Sequence, residues 1–453
     1  MKIAKIILKG FQQFENFHLD LEHPQIGEPA EKVCFIGPNG TGKTTLLQLL
    51  AESLRHLGGP DDTDPNNLVN LPFLAIKIQA KSEHFWACSA PRHSDVICYR
   101  SEVGQTSEWQ EFVTNPRQRT IPPHFCSQHH IPVPKILNLS SPGRLIIHAP
   151  ADQPLLLNSS LPTTTLNDAL SLFQQQFPTF HTVSISQARE FWKVLIYQIK
   201  KRESNYQKYL KHSENRQKTI EQVEAEFEDT HPNILPEIGK VWNRILAKSG
   251  LEFDVEGATI PIQLNENLLA YVKVKGSQKP LEYNQLSSGI RNYIFKLGHI
   301  QALYFQHQIE QSFLLVDEPE NSLYPDLLYG LIDEYLSIIE NTQLFVATHS
   351  PIIAAQFEPH ERIHLEFDER GFVTASHGVT PIGDDPNDLL IKDFHVRSVY
   401  GKEGLLQWER FLELQRIIPT TSDPALKTCL LDEYMDIGHA YNFEPNLELD
   451  ELS

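Results

Sequence analysis

Short apolar runs open the chain. Lys2–Leu8 and Phe14–Leu21 alternate apolar and polar positions on either side of Gly10, the period-two pattern of paired strands. Val33-Cys34-Phe35-Ile36 is wholly apolar and of strand length. It leads through a glycine-rich stretch into Leu46–Leu54, where the spacing predicts a helix. From about 68 to 157, short β-like runs (Leu74–Ala80, Val96–Arg100, Arg144–Pro150) lie among Pro, Ser and His and predict irregular β structure with long loops. Residues 187–228 lack Pro and Gly and carry Trp192, Leu195, Ile199, Tyr206, Tyr209, Leu210, Ile220, Val223 and Phe227. This predicts one long or broken helix ended by Pro232, on the order of 60 Å long if unbroken. A second helix is expected over 233–248, and sustained heptads are absent from this stretch. After residue 280 the rhythm alternates: a helix from Ser288, a strand Phe313–Val316, a helix 325–340 and a strand Leu344–Ala347. Apolar strands alternating with helices predict an α/β fold with a parallel sheet covered on both faces. Residues 380–453 are polar, helical in part, and end in the acidic segment ELDELS.

Composition narrows this picture. The chain has 453 residues, 40% hydrophobic and 21% charged, which suits a soluble globular protein of two to four structural units. Five scattered cysteines, Cys34, Cys88, Cys98, Cys126 and Cys429, suggest reduced thiols. No run reaches about 18 apolar residues, and the N-terminus lacks a small-residue cleavage site, so a cytoplasmic protein without membrane insertion is expected. Lys and Arg number 39 against 58 Asp and Glu, a net charge of −19, which argues against coating nucleic acid with the whole surface. One basic island departs from that balance. Residues 193–218 hold Lys193, Lys200, Lys201, Arg202, Lys208, Lys211, Arg216 and Lys218 against only Glu203 and Glu214. Such a run is either a solvated helix face or partner surface, or a contact for nucleic-acid phosphates through Lys200, Lys201, Arg202, Lys208 and Lys211.

The chemistry is concentrated in four places. Gly37-Pro38-Asn39-Gly40-Thr41-Gly42-Lys43-Thr44, followed by Thr45, fits the phosphate-loop pattern between a strand and a helix. Its glycines let backbone N–H groups turn onto phosphates, Lys43 would reach the β- and γ-phosphates, and Thr44 would hold Mg²⁺. Phe313–Val316 ends in Asp317 and Glu318. A buried strand carries these acids to its C-terminal end beside the phosphate loop, Asp317 for the metal and Glu318 to polarise the attacking water. Ser287, Ser288 and Gly289 open the next helix, either as an ordinary N-cap or as a second anion site. His349, in Thr348-His349-Ser350, closes another strand 32 residues after Asp317, as a structural residue or as a sensor of the γ-phosphate. Weaker candidates follow: Gln153 as a nucleotide-site glutamine or an exposed loop residue, Phe11 and Phe14 as packing near the nucleotide or as core of the first hairpin, and His124, Cys126, His129 and His130 as a metal site or, lacking paired zinc spacing, a polar loop.

Taken in order, phosphate loop, LSSGIR, acidic strand and histidine resemble an ABC-type ATPase. The LSSG form of the signature and the segment DEPENSLYP resemble the RecF, SMC/Rad50 and OLD-like branch of AAA family ATPases rather than transporter subunits. The motifs cover about 1–50 and 280–356. Lys43 and Ser287 stand 244 residues apart, which fits an insertion between the two halves, without C-x-x-C and too short for an SMC arm. The resemblance implies a P-loop NTPase with an ABC-type head, a mixed sheet covered by helices and an inserted helical arm. The corresponding parts are 1–160, the first half of the head with a β-rich insertion; 161–280, the arm and return strands; 281–380, the second half; and 381–453, a helical extension. It implies ATP and Mg²⁺ as cofactors, catalytic roles for Lys43, Glu318 and His349, and a D-loop at Asn321 and Ser322. It also implies a homodimer or higher oligomer in which Ser287, Ser288 and Gly289 act in trans on the partner's ATP.

The function expected from this resemblance is ATP-driven dimerisation coupled to DNA maintenance or antiphage defence. Too few residues follow the motifs for a Toprim nuclease, so the layout is similar to a stand-alone defence ATPase such as the Septu-type PtuA, acting with a separate nuclease or effector. DNA is a candidate partner. Two other readings stay open: the energising subunit of a membrane transporter, and a regulatory scaffold that binds ATP with little turnover.

Overall fold

In the computed structural model, Lys2–Phe11 (β1) and Phe14–Asp20 (β2) form the predicted hairpin, with Phe11 opposite Phe14 at its tip. The structure describes residues 1–57, 72–80, 83–89, 97–101, 112, 114, 115, 117, 144–151, 180–184, 202–231, 233–253, 272–277, 280–281, 286–307, 309, 311–396 and 398–443. The remaining strands are Lys32–Ile36 (β3), Phe73–Ala80 (β4), Glu83–Ser89 (β5), Ile97–Ser101 (β6), Arg144–Ala149 (β7), Phe180–Thr182 (β8), Leu251–Phe253 (β9), Val272–Val274 (β10), Pro280–Leu281 (β11), Gln311–Asp317 (β12), Thr342–Ala347 (β13), Arg362–Phe367 (β14) and Val373–His377 (β15). Residues Met1–Asp384 and Asp385–Ser453 form two compact units.

The first unit is built on a seven-stranded sheet of order β15-β14-β3-β13-β12-β7-β8. Every pairing in it is parallel except β14–β15, so an antiparallel strand closes one side of a parallel sheet. Such strands are buried on both faces and read as continuous apolar runs. Phe313–Val316 and Leu344–Ala347 accordingly have no exposed surface. Helix Lys43–Leu57 packs Leu46, Leu47, Leu50 and Leu54 into one core with Phe313 and Leu315 of β12, Phe345 of β13, and Ile3, Ile6 and Leu8 of β1. A fully buried leucine contributes roughly 1.5–3 kcal/mol, so this helix is held by its packed face. On that same core lies the second sheet, antiparallel, of order β2-β1-β4-β5-β6.

A polar pin joins the two sheets. Gln343 of β13 is fully buried; its Oε1 accepts from Ile3 N–H at 2.6 Å, and its Nε2 donates to the carbonyls of Ile3 at 2.9 Å and Ala30 at 2.8 Å. Helix Ser288–His307 packs against β7 and helix Ile234–Ala247. Trp242 crosses Phe253 and Phe295 edge to face, and Gly298 leaves the room its indole needs.

Of the two forms expected over 187–228, one long helix or a broken one, the described residues show the broken one, folded back. Residues 202–211 are helical, a 3₁₀ turn spans Ser213–Gln217, and a new helix runs Ile220–Thr230. Asn215 Nδ2 donates to Tyr209 O at 2.9 Å and closes the first helix. Thr219 and Gln222 form a reciprocal capping box that starts the second. The two helices pair as a hairpin with Tyr206 and Tyr209 against the ring of Phe227. Helix 325–340 is likewise split, into Pro325–Leu328 and Leu331–Leu336, with Tyr329-Gly330 between. Cys34, Cys88 and Cys429 are free thiols. No helix among the described residues is long and apolar enough to cross a membrane.

The second unit holds helices Pro386–Lys392, Lys402–Ile417 and Pro424–Tyr441. Its own core is Phe411, Leu414, Ile418, Tyr434, Ile437 and Phe443, with Phe411 stacked on Tyr434 at 4.2 Å between centroids.

Candidate active site

Register alone lines up the ends of four strands. Phe35 of β3 pairs with Ala347 of β13, Ala347 with Asp317 of β12, and Val316 with Ala149 of β7. Beyond this row lie the phosphate loop, Thr348-His349, Glu318 and Pro150. β13 therefore separates the phosphate-loop strand from the acidic strand, and the histidine, not the acids, ends the neighbouring strand. The acids face the loop across that strand end.

The loop Gly37–Gly42 turns tightly enough that Gly40 and Gly42 take φ of 85° and 86°. A Cβ on Gly42 would stand 2.3 Å from Gln13 Nε2 and 2.7 Å from the Phe14 ring. Phe14 is thus a core residue behind the loop, fully buried and edge-on to Phe17, while Gln13 Nε2 donates to Gly40 O at 3.2 Å. Pro38, Asn39 and Gly40 are exposed, Thr41 is buried, and Thr45 lies on the first turn of helix Lys43–Leu57. Lys43 is buried, its Nζ donating to Gly37 O at 2.7 Å and Pro38 O at 3.1 Å. Burial lowers its pKa to about 8, against the attraction of Glu318, Asp317 and Glu320.

Thr44 hydrogen-bonds the carboxylate of Asp317, the two residues expected to share a magnesium ion. Burial, opposed by that bond, raises the Asp317 pKa to about 6. Its Oδ1 is buried and has no hydrogen-bond partner. A hydroxyl beside a carboxylate with one unsatisfied oxygen is a hard donor set that fits Mg²⁺.

Glu318 leaves the strand with φ 44°, a conformation unusual outside glycine and frequent at functional sites. Its Oε2 accepts from Asn321 Nδ2 at 2.9 Å, and its Oε1 stands 3.8 Å from His349 Nε2. Burial first, then Lys43, lowers the His349 pKa, so the ring is neutral at physiological pH. Ser322 also takes positive φ, at 65°. Ser287 caps helix Ser288–His307, its hydroxyl accepting from Ile290 N–H at 3.4 Å; Ser287 and Ser288 are exposed and Gly289 is buried. A Cβ on Gly289 would lie 1.8 Å from Ser322 O, so the start of helix Ser288–His307 packs against the turn after the acidic strand.

The sequence places Glu320 in the D-loop-like segment without a role of its own, and the structure bonds it to the histidine strand; Lys296, whose Nζ donates to Pro150 O at 3.1 Å from helix Ser288–His307, is not among the sequence candidates. Glu320 stands in the DEPEN segment already singled out; nothing local marks Lys296. Of the basic candidates, Arg202 is engaged within the hairpin: it pairs with Glu228, donates to His231 O at 2.9 Å and lies over the Phe227 ring. Lys208 and Lys211 are exposed. Lys200, Lys201, Gln153 and the His124–His130 cluster lie outside the described residues.

A phosphate loop, a buried acidic strand end and a histidine in one row define an α/β nucleotide-hydrolysing domain. The AAA ATPase domain family matches residues 1–72 and 161–354, more than half of the chain, and this protein belongs to that family. It is an ATPase. No curated protein matches the chain. Among solved structures, an SMC head bound to the C-winged helix domain of ScpA aligns with a TM-score of 0.41 at 12% identity, covering 83% of this chain and 98% of that one. The SMC head domain from Thermotoga maritima gives 0.39 and 10%, covering 84% and 100%. An SMC head domain with an extended coiled coil, bound to the C-terminal domain of ScpA derived from Pyrococcus furiosus, gives 0.38 and 12%, covering 83% and 96%.

Proposed function

We propose that the chain binds Mg²⁺-ATP at Gly37–Thr45, hydrolyses it with Glu318 as base, and dimerises head to head when ATP is bound. The observation that carries the reading is the meeting of Lys43, Thr44, Asp317, Glu318 and His349 at adjacent strand ends. Lys43 would leave the Gly37 and Pro38 carbonyls for the β- and γ-phosphates. Thr44 and Asp317 would hold the metal, which when bound neutralises phosphate charge. Glu318, fixed by Asn321, would take a proton from the attacking water, and neutral His349 would hold the γ-phosphate end of the site.

Dimerisation is supported by the exposed Ser287 and Ser288 at a helix N-terminus, next to Gly289, which packs on Ser322 of the same chain. Ser287, Ser288 and Gly289 would complete the ATP site of the partner. The motif resemblance to the RecF, SMC and OLD-like branch supports coupling to DNA maintenance or antiphage defence, with a separate nuclease or effector. The decisive experiment compares native protein, Lys43→Ala and Glu318→Gln by sizing and phosphate release. Lys43→Ala should lose ATP binding, and Glu318→Gln should form an ATP-dependent dimer with turnover reduced by roughly 10²-fold or more. Equal dimer content with and without ATP would remove the dimer reading; native turnover in Lys43→Ala would remove the site.

A further inference from the structure

The turn that follows the acidic strand is bonded to both halves of the hydrolytic pair. On one side Asn321 Nδ2 holds Glu318 Oε2 at 2.9 Å. On the other, Glu320 Oε1 accepts from the Thr348 hydroxyl at 2.6 Å and from the backbone N–H of His349 at 2.8 Å. Thr348 is fully buried, and its Oγ1 accepts in turn from Ser350 N–H at 2.9 Å. Backbone bonds close the turn itself, from Asn321 N–H to Glu318 O at 3.2 Å and from Leu323 N–H to Glu320 O at 2.9 Å.

A third carboxylate beside Asp317 and Glu318 is a poor choice for stability alone. Like charges in a half-buried site repel, and the second oxygen of Glu320, Oε2, is buried with no hydrogen-bond partner. A neutral acceptor would spare that cost. What Glu320 supplies is a charge-assisted grip on the peptide that carries His349, and such bonds are shorter and stronger than neutral ones. The imidazole stands 3.8 Å from Glu318, a separation set by how the His349 peptide is seated.

We propose that Glu320 is a positioning residue that seats the Thr348–His349 peptide and thereby aligns His349 with Glu318 for hydrolysis. It makes no hydrogen bond to the phosphate loop or the metal pair among the described residues, and its charge reaches Lys43 only as the last of three acids, so its effect on nucleotide binding should be small beside its effect on turnover. Because Ser322 O of the same turn abuts Gly289, the seat is also the point at which the signature helix meets the histidine strand. This inference rests on the proposed ATPase site.

The test uses the full chain with Glu320→Ala, Glu320→Gln and Thr348→Val. Each variant is read by fluorescent-ATP titration, by kcat and KM, and by the His349 amide resonance in ¹⁵N-histidine-labelled protein, assigned with His349→Gln. Glu320→Ala should lower kcat on the order of ten- to a hundredfold, leave nucleotide affinity within about threefold, and shift the His349 amide. Glu320→Gln, whose carbonyl can accept both bonds but without the charge, should retain clearly more kcat than Glu320→Ala and less than native. A Glu320→Ala protein within about twofold of native turnover overturns the proposal. So does an unmoved His349 amide, or equal impairment in Ala and Gln, which would assign the effect to charge. If Glu320→Ala fails to fold, Thr348→Val decides: it removes one of the two bonds, and native kcat in it overturns the proposal. Lys43→Ala reports separately on the site, since native ATP binding there would reject the ATPase site whatever Glu320 does.

Discussion

Lys43 keeps its charge at a cost. Burial brings its pKa to about 8, below the ordinary 10.5, although three acids favour the charged form. A base whose folded pKa is depressed binds fewer protons folded than unfolded between those values, so its contribution to stability rises with pH from about 8 to 10.5. ATP reverses the preference, because phosphates select the protonated amine. Binding above pH 8 must then take up a proton, and affinity should fall by up to about tenfold per pH unit beyond that point. Fluorescent-ATP titrations from pH 7 to 9.5 check this, and a flat profile would place the phosphates away from Lys43. A second residue effect is steric. Gly289→Ala would drive a Cβ into Ser322 O, 1.8 Å away, so the D-loop must shift. Turnover should drop at least about tenfold while ATP affinity holds within about threefold. Affinity lost in parallel with turnover would show that the change reaches the phosphate loop. The phosphate loop and the acidic pair were legible because their residues are contiguous. The contact of Gly289 with Ser322 was not, since it joins residues 33 apart through two backbone conformations that no motif encodes.

At the scale of elements, continuous apolar runs announced β3, β12 and β13, since a parallel strand buried on both faces has no polar side to show. β14 escaped because Arg362 and His364 interrupt its run, although both are buried and Arg362 donates to Phe357 O at 2.8 Å. The break in the helical segment was written in the chain as Thr219-x-x-Gln222, a helix start inside what reads as one helix. Strand order was not written anywhere: nothing local says that β13 lies between β3 and β12. Gln343 carries the cost of that arrangement, satisfying three backbone groups of β1 and the segment before β3 from inside the core. Gln343→Leu keeps the volume and strands those groups. Each unsatisfied buried group costs about 1–3 kcal/mol, so destabilisation of about 3 kcal/mol or more is expected in urea unfolding, with the m-value unchanged. A loss under about 1 kcal/mol would mean that β1 and β13 separate enough to admit water.

At the scale of the whole molecule, the basic island loses its isolation once the chain folds. The described hairpin, residues 202–230, brings five basic residues (Arg202, Lys208, Lys211, Arg216, Lys218) against seven acids (Glu203, Glu214, Glu221, Glu224, Glu226, Glu228, Asp229), a net of −2. The acids come from the returning helix, and the pairing is specific. Glu226 takes Lys218 at 2.5 Å and the Tyr209 hydroxyl at 3.0 Å, Glu224 takes Tyr206 at 3.3 Å, and Glu228 takes Arg202. Exposed ion pairs of this kind add little stability, but they remove the local excess of positive charge that phosphates would need. In a chain of net charge −19, the described part of the hairpin is itself slightly acidic and offers a duplex little footprint, while Lys193, Lys200 and Lys201 of the same basic run lie outside the described residues. Lys208→Ala with Lys211→Ala should therefore leave any binding of duplex DNA by the full protein unchanged in affinity and in its slope against salt. Two lost phosphate contacts would reduce that slope by about 2, readable by fluorescence anisotropy between 50 and 200 mM salt, and would restore the hairpin as a nucleic-acid surface.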